Sequence, residues 1–333
     1  MSTEGTSGFD GALGAVEELV LGERPHLTRV EVSEAAGVPV EDAEALWRQL
    51  GFTHHTDDEV AFVDSDVEAL QLARDLMGFG ILGPDSQAAL VRTWGRSFAR
   101  LADWQVALLA RVASEVPGEN PAEQITMLTA EVLPRLERLQ SYAWRRHLAS
   151  AGSRLLAVED ATSPVVRQSV GFVDIVGFTS HSKTLDDSEL VDWIEGFEDV
   201  ASGLVLDHGG RVIKNIGDEV LFVADTPLDA VEIALEMTTR GEDEDDPFPA
   251  VRAGIASGDV VARLGDVFGP VVNVAARLTS VARPGTVLVD RETRDVLRGT
   301  DPDEDAGPYY FRRVPRVSVK GYSRLEPWVV RRS

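Results

Sequence analysis

The chain has 333 residues and a formal net charge of −24, and neither half is basic. Residues 1–150 hold 12 Arg and no Lys against 24 Asp and Glu, and residues 151–333 hold 20 basic against 32 acidic residues, so nucleic acid is not an expected partner. With 44% hydrophobic and 26% charged residues the chain is globular and long enough for two domains, and with no cysteine it has no disulfide, thiolate ligand or cysteine nucleophile.

The stretch Met1–Asp10 is polar and Gly-rich, without the features of a signal peptide, and no apolar run has membrane-spanning length. The expected location is the cytoplasm, with no stable membrane insertion. The first half reads as helices. Ser33–Val38 and Glu41–Leu50 predict two short helices around a Gly turn, with helix-turn-helix spacing. The second of them begins Val40-Glu41-Asp42 and carries only Arg48, which argues against a DNA reader. Phe52 to Asp64 predicts a small hairpin or wing. Asp85 is the expected N-cap of a long helix reaching Ser114, with Leu90, Trp94, Leu101, Trp104 and Leu108 on its apolar face. Asn120-Pro121-Ala122-Glu123 starts another long helix, in which Pro134 is expected to produce a kink. Its stripe from Ile125 to Ala143 suits a dimer seam and intramolecular packing equally well. This gives a helical domain over 1–148 and a linker over 149–166.

Residues 167–333 alternate strands and helices. Strands are predicted at 169–176, 211–216, 220–224, 250–256 and 286–289, with helices at 187–208, 229–239 and 271–282 and short strands after Pro308. The acidic run 241–249 is expected to be a solvated loop rather than a metal site. The order gives an α+β fold, ferredoxin-like in its core, with helices over a mostly antiparallel sheet.

Two carboxylates stand out. Asp174 ends an apolar strand, and Asp218 sits in the tight turn Gly217-Asp218-Glu219. A carboxylate at the end of a buried strand is costly unless it is paired or holds a metal. Singly, each also reads as a turn or capping residue; on neighbouring strands the two converge on a divalent ion.

The flanking motifs decide between these readings. Phe172–Thr179 (FVDIVGFT), Lys214–Val220 (KNIGDEV), Gly265–Leu278 (GDVFGPVVNVAARL) and Val319–Tyr322 (VKGY) occur in that order and together resemble the class III nucleotidyl cyclase catalytic domain, over about Gln168 to Val330. The resemblance implies an adenylyl cyclase that turns ATP into cyclic AMP with two Mg²⁺ or Mn²⁺ ions per site. Asp174 and Asp218 match the metal ligands. Lys214 and Asp266 match the pair that reads adenine. Asn273 and Arg277 match the residues that position the ribose and stabilise the reacting phosphate. Arg252 and Lys320 match cations that hold the triphosphate. Lys183, Lys214 and Lys320 are the chain's only lysines, and two of them fall on these positions.

The family's sites are shared between chains, so a homodimer follows. Only seven residues separate Gly258 from Asp266, so the dimerisation arm of many relatives is short here. The N-terminal half resembles, more weakly, the inhibitory helical domain of actinobacterial cyclases, which implies control by pH, with Arg145-Arg146-His147 as a candidate element, or by a fatty acid or other small ligand. The competing functions are a guanylyl cyclase and a silent nucleotide-binding module. A diguanylate cyclase is disfavoured because Ile216–Val220 lacks its second Gly and Phe.

Overall fold

The computed structural model describes residues 14, 16–81, 83–114, 121–157, 163–243, 245–298, 308–315, 317–319 and 322–333. The chain divides into two compact units, Met1–Ala161 and Thr162–Ser333. No helix among the described residues is long and apolar enough to cross a membrane.

The N-terminal unit contains β1 (Leu27–Thr28), α1 (Arg29–Ala36), α2 (Val40–Leu50), β2 (Val60–Phe62), α3 (Asp64–Gly78), α4 (Pro84–Ser114) and α5 (Pro121–Ala157). Thr28 starts α1 with a reciprocal cap: its hydroxyl oxygen accepts from the Glu31 N–H, and Glu31 accepts from the Thr28 N–H. Gly37, left-handed, ends α1 and makes the expected turn into α2. Val32, Ala36, Ala43, Trp47, Phe62 and Leu70 form the small core.

Three local expectations change. Residues 52–64 form no hairpin of their own, because β2 pairs back with β1. Helix α4 starts at Pro84, and Gly83 supplies the carbonyl that accepts from Ser86 and Gln87, leaving Asp85 in the first turn rather than at the cap. Helix α5 runs through Pro134 to Ala157, so residues 149–157, read as the start of a linker, are helical, and 165–166 already belong to a strand. Ala and Ser in that stretch are compatible with helix despite their linker-like composition.

The C-terminal unit contains β3 (Val165–Ile175), α6 (Phe178–His181), α7 (Asp187–Asp207), β4 (Arg211–Ile216), β5 (Glu219–Ala224), α8 (Pro227–Glu242), β6 (Val251–Arg263), β7 (Asp266–Phe268), α9 (Pro270–Val281), β8 (Val287–Val289), α10 (Arg291–Arg298), β9 (Tyr309–Arg313), β10 (Val317–Val319), β11 (Tyr322–Leu325) and β12 (Trp328–Arg332). The main sheet runs β4-β5-β3-β6-β8-β12-β9, with β7 added on β6. Its pairings are antiparallel except for β6 with β8. β10 and β11 form a separate antiparallel pair.

Strand β3 sits centrally and pairs with β6 along its whole length. Alternate residues therefore feed two cores. Val173, Ile175, Phe222 and Ile255 pack on one side with residues of α7 and α8, while Phe172, Leu221, Ala256 and Ala275 pack on the other, against α9. Helix α9 rides directly on β6: a Cβ on Gly254 would lie 2.3 Å from the Thr279 nitrogen and 2.5 Å from the Ala275 oxygen.

Candidate active site

Asp174 is the next-to-last residue of β3. The register sets it opposite Glu219 of β5 and Arg252 of β6, so the three side chains stand on one sheet face. Arg252 donates to Asp174 Oδ2 through Nε at 2.7 Å and lies 2.5 Å from it through Nη2. The β4–β5 turn is made by Gly217 at φ 67, a backbone region that disfavours a side chain. That turn folds back over the end of β3, where Ile175 N–H donates to the Asp218 carbonyl at 3.1 Å. Asp218 thus adjoins Asp174, and both belong to one acidic end of the sheet.

Burial pushes the Asp174 carboxyl up, Arg252 opposes this, and Asp218 adds to the rise. Burial, joined by the charges of Asp174 and Asp218, pushes Glu219 up to about 7. Three carboxylates thus face one guanidinium, and added positive charge at this place relieves their repulsion. The donors are all oxygen, which fits a hard divalent cation rather than a soft one. Asp174 and Asp218, the pair singled out in the sequence, could hold such an ion, and Glu219 offers the same kind of donor beside them.

Lys214 and Asp266 meet elsewhere. Lys214 lies at an irregularity of the edge strand β4, and Asp266 opens β7. Lys214 Nζ donates to Asp266 Oδ2 at 2.5 Å, and both side chains keep solvent access. Strand pairing places Lys214 two strands away from β3 and two residues along it from Asp174. At sheet spacings this separates the two groups by about 12 Å.

Asn273 and Arg277 are one helical turn apart on α9, the helix that covers this region of the sheet. Asn273 is exposed and Arg277 half-buried. Lys320 lies outside the described residues. The structure therefore assembles Asp174, Asp218 and Arg252 as one group and Lys214 with Asp266 as another. Glu219 received no role from the sequence; its position opposite Asp174 is set by the strand register, and the signal available in the sequence was only its adjacency to Asp218.

Comparison with known proteins shows the family of the chain. Residues 162–332 match the family described as the adenylate and guanylate cyclase catalytic domain. The chain belongs to this cyclase family. An adenylate cyclase of Glutamicibacter nicotianae is 34% identical to the cyclase, over 95% of this chain and 81% of its own length. An adenylate cyclase of Streptomyces coelicolor is 35% identical over 95% of this chain and 89% of its own. A protein of Mycobacterium tuberculosis named as a pH-sensitive adenylate cyclase is 32% identical over 93% of this chain and 80% of its own. These spans carry the likeness beyond the catalytic domain into the cyclase's N-terminal unit.

Proposed function

We propose that this cyclase converts ATP to 3′,5′-cyclic AMP and pyrophosphate at two sites shared between two copies of the chain, under the control of its N-terminal unit. The Lys214–Asp266 pair is the observation that carries the choice of ATP. A cationic donor beside a carboxylate acceptor, 2.5 Å apart and open to solvent, suits adenine N1 and its exocyclic amine. Guanine presents the opposite donor and acceptor pattern there. The names of the relatives agree with this choice.

In the reaction the 3′-hydroxyl oxygen forms a bond to the α-phosphorus, the bond to the leaving pyrophosphate breaks, and the hydroxyl proton passes to solvent. Asp174 and Asp218 would hold the divalent ions, two of Mg²⁺ or Mn²⁺ in this reading, and such ions when bound would supply Lewis-acid charge to the reaction. Arg252 fixes the Asp174 carboxylate and adds positive charge beside the triphosphate, together with Lys320. Arg277 stabilises charge on the reacting phosphate with a permanently charged, forked donor, and Asn273 orients the ribose. Positioning and charge neutralisation, rather than covalent chemistry, lower the barrier.

The family resemblance draws Asp174, Asp218 and Arg252 from one chain and Lys214, Asp266, Asn273, Arg277 and Lys320 from the other; one chain carries both sets, so a twofold dimer would complete two equivalent sites. Incubating purified protein with ATP or GTP, with Mg²⁺ and Mn²⁺ in turn, tests the reading. Cyclic AMP as the main product is expected; a preference for GTP, or nucleotide binding without turnover, contradicts it. Control by the N-terminal unit is tested with a chain starting at Ala151, expected to be more active with an altered pH profile. Equal activity and an unchanged profile would remove that part of the proposal.

A further inference from the structure

The segment that follows Asp174 is tied to the fold by little. Ile175 and Val176 still donate backbone bonds to the Asp218 and Ala250 carbonyls. Past Gly177, at φ 74, the hydrogen bonds of residues 178–184 among the described residues all close locally. Ser180 and His181 N–H donate to the Gly177 carbonyl, Ser182 N–H to that of Phe178, and Thr184 donates to the His181 carbonyl through both N–H and hydroxyl.

What reaches beyond the segment is aromatic. Phe178 stacks on Trp193 of α7, with ring centroids 5.6 Å apart and planes 9° from parallel. His181 meets the same indole edge-on, at 4.6 Å and 69°. Phe178 and Trp193 both rest on the core cluster that includes Ile175 and Phe197, and His181 is exposed. One indole therefore receives both ends of α6, a four-residue helix too short to hold its own place.

We infer that Trp193 is a positioning residue of the nucleotide site: it clamps the segment 177–184 that leaves Asp174, and so sets the KM for nucleotide. The inference rests on the role proposed for Asp174. Ring contacts of this geometry favour one arrangement over a sliding contact. Loss of the flat indole frees the segment without removing any group that touches substrate.

Trp193→Leu keeps apolar bulk without a ring face, and Trp193→Phe keeps a ring. In the full chain, Trp193→Leu is expected to raise the KM for ATP about tenfold with kcat within about threefold, and Trp193→Phe to stay within about twofold of the parent. A second readout needs no activity. Lys183 is the only Lys or Arg between Arg167 and Arg211. Limited trypsin cleavage after Lys183 is expected to quicken about tenfold in Trp193→Leu and to keep the parent rate in Trp193→Phe. His181→Ala, at an exposed position, gives a smaller rise in KM, about threefold, and keeps the test open should Trp193→Leu fail to fold.

Unchanged KM and unchanged cleavage in both Trp193→Leu and His181→Ala would overturn the inference. So would a loss of kcat alone, shared by Leu and Phe at 193, which is the mark of a general packing role. A parent chain that makes no cyclic nucleotide would instead defeat the reading of the site, while cleavage after Lys183 would still report on the clamp.

Discussion

Phe222 in the catalytic unit has no exposed surface, whereas Trp104 and Trp144 on the long helices of the N-terminal unit are 57% and 58% exposed. The contrast follows from how each unit is built. In the sheet, β3 has a neighbour on each side and helices over both faces, so each residue's environment is fixed by register. In the N-terminal unit the long helices α4 and α5 hold apolar residues that their own unit does not cover, such as Phe98, Met127 and Tyr142. Chemistry that needs fixed geometry belongs on the first kind of framework. The second kind leaves apolar surface that its own helices do not cover.

Replacements at the acidic end of the sheet test this contrast with the largest effect. Asp174→Ala is expected to lower cyclic AMP formation about a thousandfold in a product assay, with a melting temperature held or raised, since burying that carboxyl is costly. A collapse of folding instead would show that the carboxyl is structural. Next, Lys214→Glu combined with Asp266→Lys keeps the ion pair while reversing its order. It should lower kcat/KM for ATP about a hundredfold and shift preference toward GTP.

Glycine replacements separate the units. A Cβ on Gly171 would lie 2.2 Å from Phe222 Cζ, and one on Gly95 would lie 2.2 Å from the Leu50 oxygen. Each Ala variant is expected to lose about 3 kcal/mol from its own unit, read by calorimetry as one shifted transition. Joint movement of both transitions would mean that the two units do not melt separately.

A smaller effect depends on pH. Burial raises the Glu232 carboxyl, but hydrogen bonds from Arg332 and Tyr309 outweigh it, and the net position is below the ordinary carboxylate value of 4.5. A folded-state value lowered in this way adds stability that is present above 4.5 and lost as pH falls through the folded value. Glu232→Gln should therefore melt lower than the parent at pH 7, with the gap closing in acid. The smallest effect is expected at the exposed helix residues: Phe98→Ser should change the stability of the isolated chain by no more than about 0.5 kcal/mol.

Much of the catalytic unit was legible because its signals are short-range. β-branched runs marked β3, β5 and β6, and glycines marked the turn that carries Asp218. The ionic partnership of Lys214 and Asp266, 52 residues apart, was not legible from spacing; the motif resemblance grouped the two. β7 has three residues, too few for a period. α10, for which the sequence reading offered no element, is capped where the Asp290 carboxylate accepts from Thr293 N–H at 2.9 Å, and Thr293 is buried. In the N-terminal unit the apolar stripes were visible, but a stripe names a face and not what covers it. The β1–β2 pairing escaped because it joins segments about thirty residues apart.

The most direct test of the shared-site cyclase is complementation. Asp174→Ala and Arg277→Ala chains are assayed for cyclic AMP formation from ATP separately and after co-refolding in equal amounts. Each alone should be nearly inactive, and the mixture should recover about a quarter of parent activity, since half of random dimers are mixed and each mixed dimer has one intact site. A mixture as inactive as its components would contradict the shared site, and substantial activity in either variant alone would contradict the roles assigned to these two residues.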